Sequence, residues 1–348
     1  MPTVSIDTFF ACSLIVCVAL LATASFAGTM QIKINSLQDL NKDDYLKTIA
    51  EQIVTSIGTP EDWGSSGNTV PENFGLDNSA SPYLYELDID KITRLSSQSN
   101  YSLSYFQVYQ AARLNKLALG ISISQMLIIT AELSGNTTAG DEKTYTFRIS
   151  VSQDQGPINA SLHCYAVATD FLTDVYNTTS DEGVGTVSVQ IPNVSDGPAL
   201  LIVFARASFD DRLTAYEVYS FAHLSQGPSP NHTFLEMSPL NYTLNLNPKS
   251  ANTTVDDCYA FSYTYQSNLT STSNITYAIP AFMDKSPIVL VISGHNDTAS
   301  FAEWIAYPDA PLEFGADFAS MDKNVFVYTT SVKGALYKLT LSLGDVAD

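Results

Sequence analysis

Apolar positions fall into three patterns along the chain. From Phe9 to Gly28 they form a run of 20 residues without a formal charge. At about 1.5 Å per residue, a helix of that length spans the roughly 30 Å hydrocarbon core of a bilayer. From Leu46 they recur at helical spacing through Ile49, Ala50, Ile53, Val54 and Ile57, with Asn41 placed to cap the segment and Gly58 and Pro60 to stop it. From about residue 141 alternation with period two takes over, as in Tyr145, Phe147, Ile149 and Val151, then Val187, Val189 and Ile191, and again in Tyr259, Phe261, Tyr263 and Tyr265. The solid runs Ala199 to Ala205 and Ile288 to Ile292 read as buried strands, and Tyr337, Leu339, Leu341 and Leu343 close the chain.

These patterns predict a mainly β protein with an N-terminal α anchor: a transmembrane helix and an amphipathic helix followed by immunoglobulin-like β-sandwich modules. The expected divisions are an anchor over 1–30, an amphipathic helix over 31–57 with a kink near Asn35 to Asn41, and a mixed helix and loop region over 58–140. A sandwich over 141–226 and a second β-rich module over 227–348 follow, with Gln226-Gly227-Pro228-Ser229-Pro230 as the boundary. Within 58–82, rich in Gly, Pro, Ser and Asn, Trp63 and Phe74 are the expected anchors of an otherwise irregular loop. Short helices are expected over 88–95 and 102–114, and 119–133 turns strand-like.

The apolar run reads as a retained anchor, because no Lys or Arg precedes it and Asp7 is the one charged side chain there. The alternative is a cleaved secretory signal ending at Ala22-Thr23-Ala24 or Ser25-Phe26-Ala27. Orientation comes from the rest of the chain. Of 20 Asn residues, 11 stand in Asn-x-Ser/Thr: Asn100, Asn136, Asn159, Asn177, Asn193, Asn231, Asn241, Asn252, Asn268, Asn274 and Asn296. Chance would give about four such acceptors at this Ser and Thr content. The excess favours a single-pass cell-membrane protein whose C-terminal body is extracellular and carries covalent glycans.

Sixteen basic against 36 acidic residues give a net charge of −20, which disfavours nucleic acid and anionic headgroups as partners. No calcium loop of the Asp-x-Asp-x-Asp-Gly kind is present, and no metal or cofactor is expected. Cys12 and Cys17 read as apolar filler. An oxidising exterior permits a disulfide between Cys164 and Cys258, although free buried cysteines fit the same strand-like stretches.

Catalytic patterns are missing: no HExxH, Gly-x-Ser-x-Gly, phosphate-binding Gly loop or CxxC pair. The four His residues show no metal-ligand spacing, and His163 and Cys164, as neighbours on a strand, point to opposite faces. The chain is therefore read as non-enzymatic. Its 19 Tyr and 17 Phe residues are explained by core packing more economically than by a sugar platform.

The succession Gly58-Thr59-Pro60-Glu61-Asp62-Trp63-Gly64, Phe74-Gly75-Leu76 and Leu87-Asp88-Ile89-Asp90-Lys91 to Leu95, behind the apolar helix, resembles archaeal type IV pilin-like, membrane-anchored surface proteins over about residues 5–115; the ending Val332-Lys333-Gly334-Ala335-Leu336-Tyr337 shares that character. The resemblance implies a helix that packs with other pilin-like subunits and a head that faces the medium. It also implies that Asp7 matches the acidic assembly residue that pairs with a neighbour's amino group. The expected role is a minor or accessory subunit, and the alternative is an adhesin or carbohydrate-binding protein, anchored or secreted.

Overall fold

A computed structural model describes residues 6–225, 227, 228, 230–273, 275–297, 299–316, 318 and 323–345. Within 6–41, side chains are described for 13–18, 20, 21, 23, 25 and 30. By contacts the chain divides into Met1–Glu51 and Gln52–Asp348.

A continuous helix, α1 (Ile6–Thr55), makes up the first unit and enters the second. The helix start expected at Asn41 is corrected: α1 runs on through Asn41, and Thr29 to Ile57 contains neither Pro nor Gly to break the hydrogen-bond ladder. Leu46, Ala50, Ile53 and Val54 of the expected stripe are buried. Among the described residues no helix is long and apolar enough to cross a membrane, and the run Phe9 to Gly28 belongs only in part to the described side chains.

The body is mainly β, built of antiparallel sheets with two short helices. α2 (Ile89–Thr93) starts at Asp88, whose carboxylate accepts from the Asp90 and Lys91 amides, and α3 (Tyr105–Ala111) starts at a capping box of Ser104 and Gln107. The strands are β1 (Leu117–Gln125), β2 (Ile128–Ala139), β3 (Glu142–Gln153), β4 (Gly156–Pro157), β5 (Ala160–Ala168), β6 (Phe171–Thr178), β7 (Val184–Pro192), β8 (Gly197–Ala207), β9 (Thr214–His223) and β10 (Leu235–Leu240). They continue as β11 (Thr243–Pro248), β12 (Thr253–Phe261), β13 (Gln266–Asn268), β14 (Thr270–Ser273), β15 (Thr276–Ala278), β16 (Ile288–Asn296), β17 (Ala299–Tyr307), β18 (Leu312–Gly315), β19 (Lys323–Val332) and β20 (Ala335–Asp345).

Two sandwiches of one design lie in tandem. In the first, β2-β3-β7 faces β6-β5-β8-β9; in the second, β10-β11-β15-β14 faces β13-β12-β16-β17. Matching positions carry matching residues. Cys164 pairs with Val203, which pairs with Glu217; Cys258 pairs with Ile292, which pairs with Glu303. The tripeptide Cys-Tyr-Ala occurs at 164–166 and again at 258–260, and Pro198 and Pro287 stand five positions before Val203 and Ile292. The second module thus repeats the first.

The repeats join through equivalent faces. Tyr165, Val167, Leu200, Ile202, Phe204, Tyr216 and Val218 of the first share one core with Tyr259, Phe261, Val289, Val291, Ala302 and Ala306 of the second. The other face of β5 and β8, with Cys164, Leu201 and Val203, belongs to the core of the first sandwich. Both faces of β8 and β16 are therefore covered, and this is why each reads as a solid apolar run instead of an alternation. The stretches 141–226 and 227–348 share this core, and the first sandwich begins at Ile128. A fifth sheet, β18-β1-β20-β19, brings β1 beside the C-terminal strand.

Register decides the cysteines. Cys164 and Cys258 are both free and buried, so the disulfide that the sequence permits is not formed. Tyr165 and Tyr259 point into the shared core, and their neighbours Cys164 and Cys258 therefore point away from each other, on the far sides of two packed sheets. Burial pushes both thiols up to about 12.

Candidate functional site

The segment from Gly58 to Leu95 is held by two buried cations one turn apart on and just after α2. Lys91 Nζ donates to the carbonyls of Ile57 and Asp77, each at 2.8 Å. Arg94 donates to the carbonyls of Trp63, Thr69 at 2.6 Å, Gly67 at 3.2 Å and Tyr101 at 3.0 Å. A loop without sheet or helix leaves its carbonyls unpaired, and these two side chains satisfy six of them. Trp63, fully buried, packs at 5.8 Å from the Phe74 ring, as expected of the two anchors. Gly58 adopts φ +74, and a Cβ there would meet the Asn73 oxygen at 2.7 Å; at Gly75 it would meet the Ser56 oxygen at 2.2 Å. The motif is a packing device.

Acidic groups in the body are unusually buried. Tyr307 donates to Asp90 at 2.6 Å and the Asn241 amide to the same oxygen at 2.7 Å. Glu303 accepts from the Phe234 and Leu235 amides at 2.7 and 3.0 Å, and Asp309 from Ser96 at 2.8 Å. Burial is the largest influence on Asp90, Glu303, Asp309, Glu217 and Asp77, and it raises the pKa of each above the usual carboxylate range. His163 Nδ1 lies 2.6 Å from the Tyr263 carbonyl and Nε2 lies 3.1 Å from Asp174, while Cys164 faces the opposite core. Among the described residues no group of His, Cys, Asp and Glu is arranged to hold a metal ion.

The sequons scatter over the body. Asn100, Asn136, Asn159, Asn177, Asn241, Asn252 and Asn268 are exposed, and Asn193, Asn231 and Asn296 are half-buried. Asn274 and the side chain of Asp7 lie outside the described residues. Asn231 has a structural role as well: its amide bonds both the carbonyl and the N–H of Trp304, at 2.7 and 2.8 Å, closing the edge of β17. A groove of about 590 Å³ opens between exposed Tyr83 and Leu84, Tyr85, Arg212, Lys285 and the end of β19. Arg212 and Lys285 are fixed there by Asp210 and Asp211, each at 2.8 Å. Sequence reasoning missed this groove because it is assembled from segments some 250 positions apart.

Neither a comparison with protein-family models nor a search of curated proteins returns a match. Among solved structures, catalytically inactive OgpA from Akkermansia muciniphila in complex with an O-glycopeptide is 9% identical, over 28% of this chain and 30% of that one, with a TM-score of 0.20. HBP35 of Porphyromonas gingivalis is also 9% identical, over 52% and 63%, at 0.20. Human GIVD cytosolic phospholipase A2 is 7% identical, over 67% and 33%, at 0.14. The chain spans less than two thirds of each, and superpositions this loose carry no argument about fold or function.

Proposed function

We propose that the chain is a non-enzymatic structural or interaction protein of the cell surface, held in the membrane by α1 with its glycosylated β body outside. It acts in this reading as a minor or accessory subunit of archaeal pilin-like type, with Asp7 engaging a neighbouring subunit. The observation that carries the proposal is on α1, where Leu14, Ile15, Val16, Val18, Leu20 and Leu21 are 56% to 70% exposed and point to every side of the helix. A helix that is apolar all round requires an apolar environment, lipid or other helices. Seven exposed sequons on the body support an exterior position, and the repeated order of the two sandwiches supports the immunoglobulin-like reading, a design suited to display. Asp90, Glu303 and Asp309 are engaged by groups of the fold itself, which supports a structural use of these carboxyls.

The groove beside Tyr83 and Tyr85 favours a second reading, a binding protein whose aromatic faces stack on a sugar while the ion-paired Arg212 and Lys285 meet hydroxyls. The two readings share their first test. The intact mass of the native protein from cell envelopes is expected to exceed the 37.8 kDa of the bare chain by several glycans, with the apolar run retained. A bare mass, or a start after Ala27, would count against the anchored reading.

A further inference from the structure

By sequence the eleven Asn-x-Ser/Thr acceptors are equivalent, and the fold makes them unequal. Glycan transfer from a sugar phosphate joins the anomeric carbon to the asparagine Nδ2. The anomeric C–O bond to phosphate breaks, the phosphate leaves with the electron pair, and one of the two Nδ2 protons passes to a base of the transferring enzyme. The acceptor amide must therefore be reachable, free to turn, and able to give up one N–H.

The Asn231 amide can do neither of the last two. Its side chain is half-buried, and both Nδ2 hydrogens are committed, one to the Trp304 carbonyl at 2.7 Å and one to His232 Nε2 at 3.2 Å. Burial lowers the pKa of His232, which keeps that ring nitrogen able to accept. The Asn231 oxygen accepts the Trp304 N–H at 2.8 Å, so three bonds hold the amide in one plane. Thr233, the hydroxyl residue of this sequon, is engaged as well: it donates to the Pro230 carbonyl.

Four sequons show the reverse. Asn100, Asn136, Asn241 and Asn268 are exposed, and among the described residues no hydrogen bond holds their side-chain amides. At two of them the main chain is fixed while the side chain is free. The Asn100 N–H donates to Ser238 Oγ at 3.0 Å, and the Asn241 N–H donates to Asp90 at 2.7 Å. Asn159, Asn177 and Asn252 fall between: they are exposed, but each spends an Nδ2 hydrogen, on Asp181, Thr186 and Asp297 respectively.

We infer that the native body carries glycans on Asn100, Asn136, Asn241 and Asn268, and that Asn231 stays bare as a clamp between the segment before β10 and β17. The glycan sites rest on the exterior reading above; the clamp does not.

Site-by-site glycopeptide mapping of the full chain from cell envelopes tests the assignment. Occupancy at each of the four free acceptors is expected to exceed that at Asn231 by on the order of tenfold or more, because modification there breaks bonds made inside the fold. Occupancy of Asn231 equal to that of Asn100 overturns the inference and leaves the exterior reading standing; no glycan at any sequon overturns both. A second measurement needs no glycan. In the full, unglycosylated chain in detergent, Asn231→Gln displaces the amide by one methylene and is expected to lower the melting temperature by roughly 4 °C or more, whereas Asn100→Gln leaves it unchanged. Equal melting of the two variants overturns the clamp, whatever the glycans show.

Discussion

Replacing Arg94 with Met is expected to lower the stability of the body by about 3 kcal/mol or more, because four loop carbonyls lose their donor inside the fold. Methionine preserves much of the apolar stem, so the loss reports the hydrogen bonds more than the packing. For a body of this size the melting temperature should fall by roughly 6–12 °C. Thermal unfolding of Arg94→Met beside Arg113→Met, which alters an exposed arginine, measures it. Equal melting of the two would mean that Lys91, Trp63 and Phe74 hold the loop without Arg94.

The second large effect is a rise in stability on acidification. Asp77, Asp90, Glu217, Glu303 and Asp309 have raised pKa values in the fold, from 3.8 for Asp and 4.5 for Glu, with burial the first cause in each. Between the unfolded and folded values the native chain holds the extra protons. The contribution is fully present below about pH 4 and is lost as pH rises through the folded values. Opposing it, burial lowers His223 and His232, whose contribution is lost as pH falls below 6.5, and bonds from Arg212 and Lys285 lower Asp210 and Asp211, which lose theirs below about pH 4. Five carboxyls with raised values outnumber two histidines, and acid also relieves the repulsion of a −20 chain. The melting temperature at pH 5 should exceed that at pH 8 by on the order of 5 °C at constant ionic strength. Glu217→Gln, at the site where burial acts alone, should flatten the profile, and a maximum at pH 8 would refute the account.

Much of this architecture is legible in local pattern. Alternation located β3, β7 and β20, the short helices expected over 88–95 and 102–114 correspond to α2 and α3, and Trp63 and Phe74 were recognisable as anchors because large apolar residues in a Gly- and Pro-rich loop have few other uses. Long-range facts were not legible. The pairing of β1 with β20 joins residues more than two hundred positions apart, and Gln125 looks like any polar strand residue until it reaches Tyr216. The duplication left a signal in the two Cys-Tyr-Ala tripeptides, and that signal also argues against the bridge: repeated positions in two modules packed through the same face place both thiols on outward sides. The helix start at Asn41 misled because a capping residue followed by an apolar stripe also occurs inside a longer helix.

The claim on which the functional reading depends is the exterior position of the body. Labelling intact cells with a membrane-impermeant amine reagent, then mapping labelled lysines, tests it most directly. Exposed Lys285 and Lys338 are expected to react without lysis, to the same extent as after lysis. Labelling that appears only once the cells are broken would contradict the account.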